Sequence, residues 1–221
     1  MASLLDEVLL LAYDDSSGFN KSSQLEIGLG GATILELALA GRIDVIEGKV
    51  RVVQPAPTGD PLLDQALHKL AADGPRKPQA AVQRAAKGKR RAVLDRLVAR
   101  GLLVHRGEKA LGFIPFHRHL PGDSAVEDDA RNRLAATADA EGTDDARTAA
   151  LASLVYALNL EKAALPGRDH RRARKVFKAI SEGMWGGHAT RKAVEGAQAA
   201  VMASIAATVA VSAAGAGGAG G

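Results

Sequence analysis

Apolar residues recur at helical spacing through most of the chain, and the interruptions fall at glycine, proline and short acidic clusters. Leu4, Leu5, Val8, Leu9, Leu11 and Ala12 form a first, mostly buried helix, stopped by Asp14-Asp15-Ser16-Ser17-Gly18. A second helix is expected from about Gly31 to Ala40, carrying Ile34, Leu35, Leu37, Ala38 and Leu39, with Gly41 as its left-handed cap. Short β runs at 43–46 and 50–53, joined at Glu47-Gly48-Lys49, read as a hairpin. Asp60-Pro61 then supplies an N-cap and a first helical residue for a helix over about 61–72.

After the loop Gly74-Pro75-Arg76-Lys77-Pro78 the helical pattern resumes to Arg100, interrupted or bent near Gly88 and ended by Gly101. Leu102 to Val104 and Leu111 to Phe116 flank His105-Arg106-Gly107-Glu108-Lys109 as a second hairpin. Further helices are expected after Pro121-Gly122-Asp123, around Leu151, Leu154, Val155 and Leu158, and from about His170 to Ile180. The stretch from Ala193 to Ala214 is apolar and alanine-rich, and residues 196–221 carry no charge. Such a run is long enough to consider a membrane span, but alanine and glycine dominate it, which favours a buried helix. The pattern therefore predicts a mainly α, single globular helical domain over 1–214, with a buried C-terminal helix and two short β-hairpins. Residues 215–221 are expected to be a disordered Gly/Ala tail.

With 221 residues the chain is large enough for one good core, and the absence of cysteine excludes disulfides, thiolate metal sites and thiol nucleophiles. The first seven residues lack the basic region of a secretory signal, which points to a cytoplasmic protein. Charge is distributed unevenly. Residues 76–106 hold ten Lys/Arg against Asp95 alone, a local +9 that leaves −5 for the rest of a chain whose net charge is +4. That concentration implies a polyanionic partner, either an anionic bilayer surface or nucleic acid.

Candidate chemistry is otherwise thin. The glycines of "GLGGATILELALAGRI" (28–43) could cradle a phosphate, but no Lys-Ser/Thr follows and no strand precedes, so a turn and close helix packing explain them better. His117 and His119 share one strand face at a spacing that zinc ligands use, without a third donor at a companion spacing. No nucleophile elbow or isolated carboxylate pair is present. Neither an enzyme nor a cofactor is expected. Residues 79–116 outline a basic helix followed by a basic hairpin, so a winged-helix-like DNA-binding protein is the alternative reading, although a proline-rich loop occupies part of the space for its upstream helix.

"LLDEVLLLAYDDSSG", "GLGGATILELALAGRI", "APTGDPLLDQAL", "LDRLVARGLL" and "RKAVEGAQAAV" occur in that order, and together they resemble the Golgi phosphoprotein 3 family, including its bacterial, mainly actinobacterial, members. The resemblance extends from about Leu4 to Val211. It implies a single, mostly helical domain without enzymatic activity that binds phosphatidylinositol 4-phosphate as a peripheral membrane adaptor. For this chain it implies a place on the inner face of the membrane, facing an anionic phospholipid or phosphoinositide headgroup. Protein cargo, or self-association through the hairpin around Gly107, would be further partners, with nucleic acid less favoured. The family's two arginines three apart fall on Lys87 and Arg90 when Gly101 is the anchor, which places the headgroup face at Lys87, Lys89, Arg90 and Arg91. Its turn arginine falls on Gly30, and its tryptophan has no aromatic counterpart between Phe19 and Gly28.

Overall fold

A computed structural model of the chain describes residues 2–14, 17–110, 114–123, 125–184 and 196–207, with side chains placed outside 105–121. Three helices make its centre. α1 (Leu4–Ala12) is buried on every side, Asp6 and Glu7 included. Its start is fixed by a capping box between Ser3 and Asp6, and Glu36 accepts from the Leu4 amide at 2.9 Å, so a second helix closes the first turn. α2 (Leu25–Leu39) lies against α1, and α7 (Ala146–Ala157) packs on both.

The α2 boundary differs from the expected one. The helix begins at Leu25, so Gly28, Gly30 and Gly31 lie inside it and not in a turn before it. Close packing is the physical reason. A Cβ on Gly28 would meet Leu158, one on Gly31 would meet Val201 Cγ1 at 2.6 Å, and one on Gly30 would collide with the Val82 carbonyl and the Ala86 backbone. The helix accepts glycine's entropic cost of about 1 kcal/mol each because any larger residue would push neighbouring elements away. The expected turn is thus corrected, while the close packing is present.

β1 (Ile43–Ile46) and β2 (Lys49–Val52) pair antiparallel across Glu47-Gly48, both at positive φ (52° and 70°), as a two-residue hairpin with right-handed twist requires. α3 (Pro61–Asp73) starts at Asp60, whose carboxylate accepts from the Leu62 amide at 2.8 Å. α4 (Pro78–Ala86) and α5 (Lys89–Ala99) are separated by Gly88 at φ 71°, an interruption at the glycine where one was expected.

β3 (Leu103–Ala110) and β4 (Ile114–Pro121) form the second hairpin. Here too the structure corrects the expectation, since His105 to Lys109 are strand residues paired with 115–119, and Gly107 lies opposite His117. A pattern that alternates poorly between apolar and polar hid the strand. The intended turn residues are ladder residues.

α6 (Ala125–Asp139), the short α8 (Glu161–Ala164) and α9 (His170–Ser181) complete the shell, and residues 196–207 form α10. α10 buries Ala197, Val201 and Ile205 along one face, Val201 against Gly31 of α2, while Ala199, Ala203 and Ala206 are exposed. The expected tail at 215–221 lies outside the described residues, as does the region flanking α10. No helix among the described residues is long and apolar enough to cross a membrane.

Candidate anion-binding surface at the α4–α5 junction

The α4–α5 break places Lys87, Lys89, Arg90 and Arg91 around one glycine, and helical geometry then sends them in different directions. Lys89, Val93 and Leu97 are four apart and together form the buried stripe of α5. Lys89 therefore points inward: it is 5% exposed and its ammonium donates to the Leu62 carbonyl at 2.9 Å. Burial first, then the nearby Lys69, pulls its pKa down to about 8. Its backbone N–H donates to Glu26 at 3.1 Å, so α2 supplies a carboxylate to the α5 N-terminus.

Lys87 and Arg91 are exposed, and among the described residues Arg91 reaches only Asp95, at 3.9 Å with both side chains largely in water. Arg90 is held by a neutral partner. Its Nη2 donates to the Tyr13 hydroxyl at 2.9 Å and its guanidinium lies 5.8 Å from the centre of that ring. Tyr13 ends α1, 77 residues away, and no local spacing links the two in the sequence. The aromatic partner of this face thus comes from Tyr13 and not from the stretch between Phe19 and Gly28.

The rest of the basic segment is largely neutralised. Arg96 forms ion pairs of 2.7 Å with both Asp6 and Asp60, and Arg100 joins Asp6 at 3.0 Å. Arg76 and Arg84 share Asp73. These pairs tie α5 to α1 and to the start of α3, and tie α4 and the loop before it to the end of α3. The +9 strip accordingly does not form one uniform exposed surface. Among the described side chains, its charge without a close acid is concentrated at Lys87, Arg90, Arg91 and the exposed Lys77.

Gly30 lies directly beneath the end of α4, against Ala86 and so next to Lys87. The three positions that the family resemblance singles out thus converge, but position 30 is closed by helix packing and has no room for a side chain of any kind. His117 and His119 belong to β4, and among the described residues no group of three metal-binding side chains occurs.

Vacuolar protein sorting-associated protein 74 of Eremothecium gossypii is 35% identical over 77 residues, covering 29% of this chain. The chain spans only 23% of that relative's length. The family model of Golgi phosphoprotein 3 (GPP34) matches residues 4–197, which takes in α1 through α9 and the start of α10, and the chain belongs to that family.

Proposed function

We propose that the chain is a non-enzymatic peripheral membrane adaptor whose α4–α5 junction binds anionic lipid headgroups, phosphatidylinositol 4-phosphate or another phosphoinositide in first place. Membership of a family of adaptors supports the coarse role. One observation carries the finer one. Among the described residues Arg90 is oriented by a phenol and a ring face and by no carboxylate, so its charge is fixed in direction yet still available to an anion. Lys87 and Arg91 flank it in solvent, and Lys89 lies beneath with its charge buried.

Each such cation near an anionic surface contributes about 1 kcal/mol, so three of them give roughly a hundredfold in partitioning. That is enough for reversible attachment and too little for permanent anchoring. Lys87 supplies charge without the planar fork of an arginine, so it acts by proximity while Arg90 can grip two phosphate oxygens. Protein partners fit the adaptor role at the same coarse level.

Sedimentation with vesicles tests the reading. Protein should pellet with vesicles containing phosphatidylinositol 4-phosphate or phosphatidylserine and stay in solution with phosphatidylcholine alone. The variant Arg91→Glu should weaken pelleting by about an order of magnitude, since it removes one favourable charge and adds an unfavourable one. Equal pelleting of variant and parent would remove this face from the membrane contact.

A further inference from the structure

A second basic stretch lies outside the +9 strip: residues 161–180 hold seven Lys/Arg against Glu161 and Asp169. Most of them fall on α9. Ala173, Val176, Phe177 and Ile180 turn one side of that helix into the core, so Arg171, Arg174, Lys175 and Lys178, at spacings of three and four, form its outward stripe. Arg174 is held by Glu161 at 2.7 Å and by the Tyr156 ring, whose centre lies 4.8 Å from the guanidinium. Lys178 reaches Glu182 only at 3.7 Å, and among the described residues Arg171 and Lys175 have no ion pair.

The stripe borders an open groove of about 360 Å³ between the end of α7, α9 and α10. Arg174 forms its basic rim, and Tyr156, Ala157, Met202, Ile205 and Ala206 give it a largely apolar floor. Met202 is half-buried and Ala206 exposed, so the floor is open to solvent along α10. A cleft of that size takes one or two large side chains, and a methionine in the floor adapts to their shape. We infer that this groove docks an acidic segment of a protein partner, with an apolar side chain on the floor and flanking carboxylates on Arg171 and Lys175.

Position favours a protein over the bilayer. Within α2, Gly28 packs on Leu158 at the end of α7, whereas Gly30 packs on Ala86 at the end of α4. Two residues turn an α-helix by about 200°, so the groove end of α7 and the α4–α5 junction lie on opposite flanks of α2. A flat membrane that meets Lys87 and Arg90 leaves the groove facing away from it. This choice of occupant rests on the headgroup reading of the junction, while the groove itself does not. Charge sets the partner's sign: unpaired cations beside an apolar floor favour carboxylates around a hydrophobic anchor and repel a basic segment. The anchor supplies most of the affinity, and the rim charges supply association rate and salt dependence.

Two short fluorescent peptides test the groove, one with Leu-Phe between two runs of glutamate, the other with Ala-Ala in place of Leu-Phe. Binding is followed at physiological salt by anisotropy and by the methyl resonances of Met202, in the groove, and Met184, exposed beyond the end of α9. The Leu-Phe peptide should bind the parent, shift Met202 and leave Met184 in place, and the Ala-Ala peptide should bind roughly tenfold more weakly. Lys175→Glu and Ala206→Glu, both at exposed positions, should each weaken the Leu-Phe peptide about tenfold, whereas Lys87→Glu/Arg90→Glu should leave it nearly unchanged. Phosphatidylcholine vesicles carrying phosphatidylinositol 4-phosphate should not compete with it. Failure of the parent to bind, equal affinity for the two peptides, or an unmoved Met202 overturns the groove. So does a Met202 shift produced by the vesicles, which would make this a second membrane face, or by raising the protein concentration alone, which would seat a second copy of the chain there. If vesicles pellet the parent and the peptide does not bind, only the groove falls; if the peptide binds and no vesicle does, the groove stands and the membrane role falls.

Discussion

Gly30 shows how a single hydrogen in place of a side chain can decide where two helices meet. The Gly30→Ala variant should lose about 3 kcal/mol of stability, because the added methyl meets backbone atoms of Val82 and Ala86 that cannot rotate away. Gly142→Ala is the contrast: its added methyl has nothing within 4 Å, and thermal unfolding should show no loss, or a gain of a few tenths of a kcal/mol. Lys89 makes a second residue-scale prediction, through pH. Its folded pKa is about 8 against an ordinary 10.5, so between those values the folded chain has released a proton that the unfolded chain still holds. Stability from this group therefore grows as pH rises through that window and is lost as pH falls through 8. Urea unfolding between pH 7.5 and 10 should show a rise that is smaller in Lys89→Met; an identical rise would place the lysine in water.

At the scale of elements, α5 is held by its polar flank as well as its apolar stripe. Arg96 joins Asp6, whose side chain is 2% exposed, to Asp60 at the start of α3. The Arg96→Ala variant leaves a buried carboxylate short of a partner and should cost about 3 kcal/mol in denaturant unfolding, with Arg100 limiting the loss. Glu26 works against anion binding because it places a negative charge at the α5 N-terminus. Glu26→Gln should strengthen pelleting with anionic vesicles a few-fold and weaken α5 slightly.

Most elements were legible because caps and periodicity agreed: Asp60-Pro61 opens α3 where the sequence says, and Gly48, Gly88 and Gly101 all mark real breaks at positive φ. Two misreadings have one cause. Glycine in a sequence signals a turn, but at 28–31 it serves close packing in a helix and at 107 it lies within a strand ladder. The site was less legible. Charge counting found the basic strip but not which cations are consumed by Asp6, Asp60 and Asp73, and the stripe Lys89-Val93-Leu97, visible in the spacing, already said that Lys89 turns inward. Tyr13 and Lys69 reach the junction only through tertiary packing, so no local pattern announces them.

For the whole molecule, the arrangement puts an all-buried N-terminal helix under a junction whose few free cations face outward. Glu7, raised above 4.5 mainly by burial, is held between Arg133 and Arg147, so the same helix that positions Tyr13 for Arg90 is tied to α6 and α7. A chain acting through duplex DNA would instead show binding that falls steeply with salt and depends on base sequence, reading from α5 and the β3–β4 hairpin. With Arg96 and Arg100 engaged by Asp6, the α5 charge available for such reading is confined to Arg90 and Arg91 at its N-terminal end. The most direct measurement is co-sedimentation of the parent and the Lys87→Glu/Arg90→Glu variant with phosphoinositide-containing vesicles, run beside a duplex-DNA shift assay at the same salt. The account predicts that the parent pellets and does not shift DNA, and that the variant remains in the supernatant while keeping its helical circular dichroism and a cooperative melt. Equal pelleting of both proteins, or a sequence-dependent DNA shift without pelleting, would contradict it.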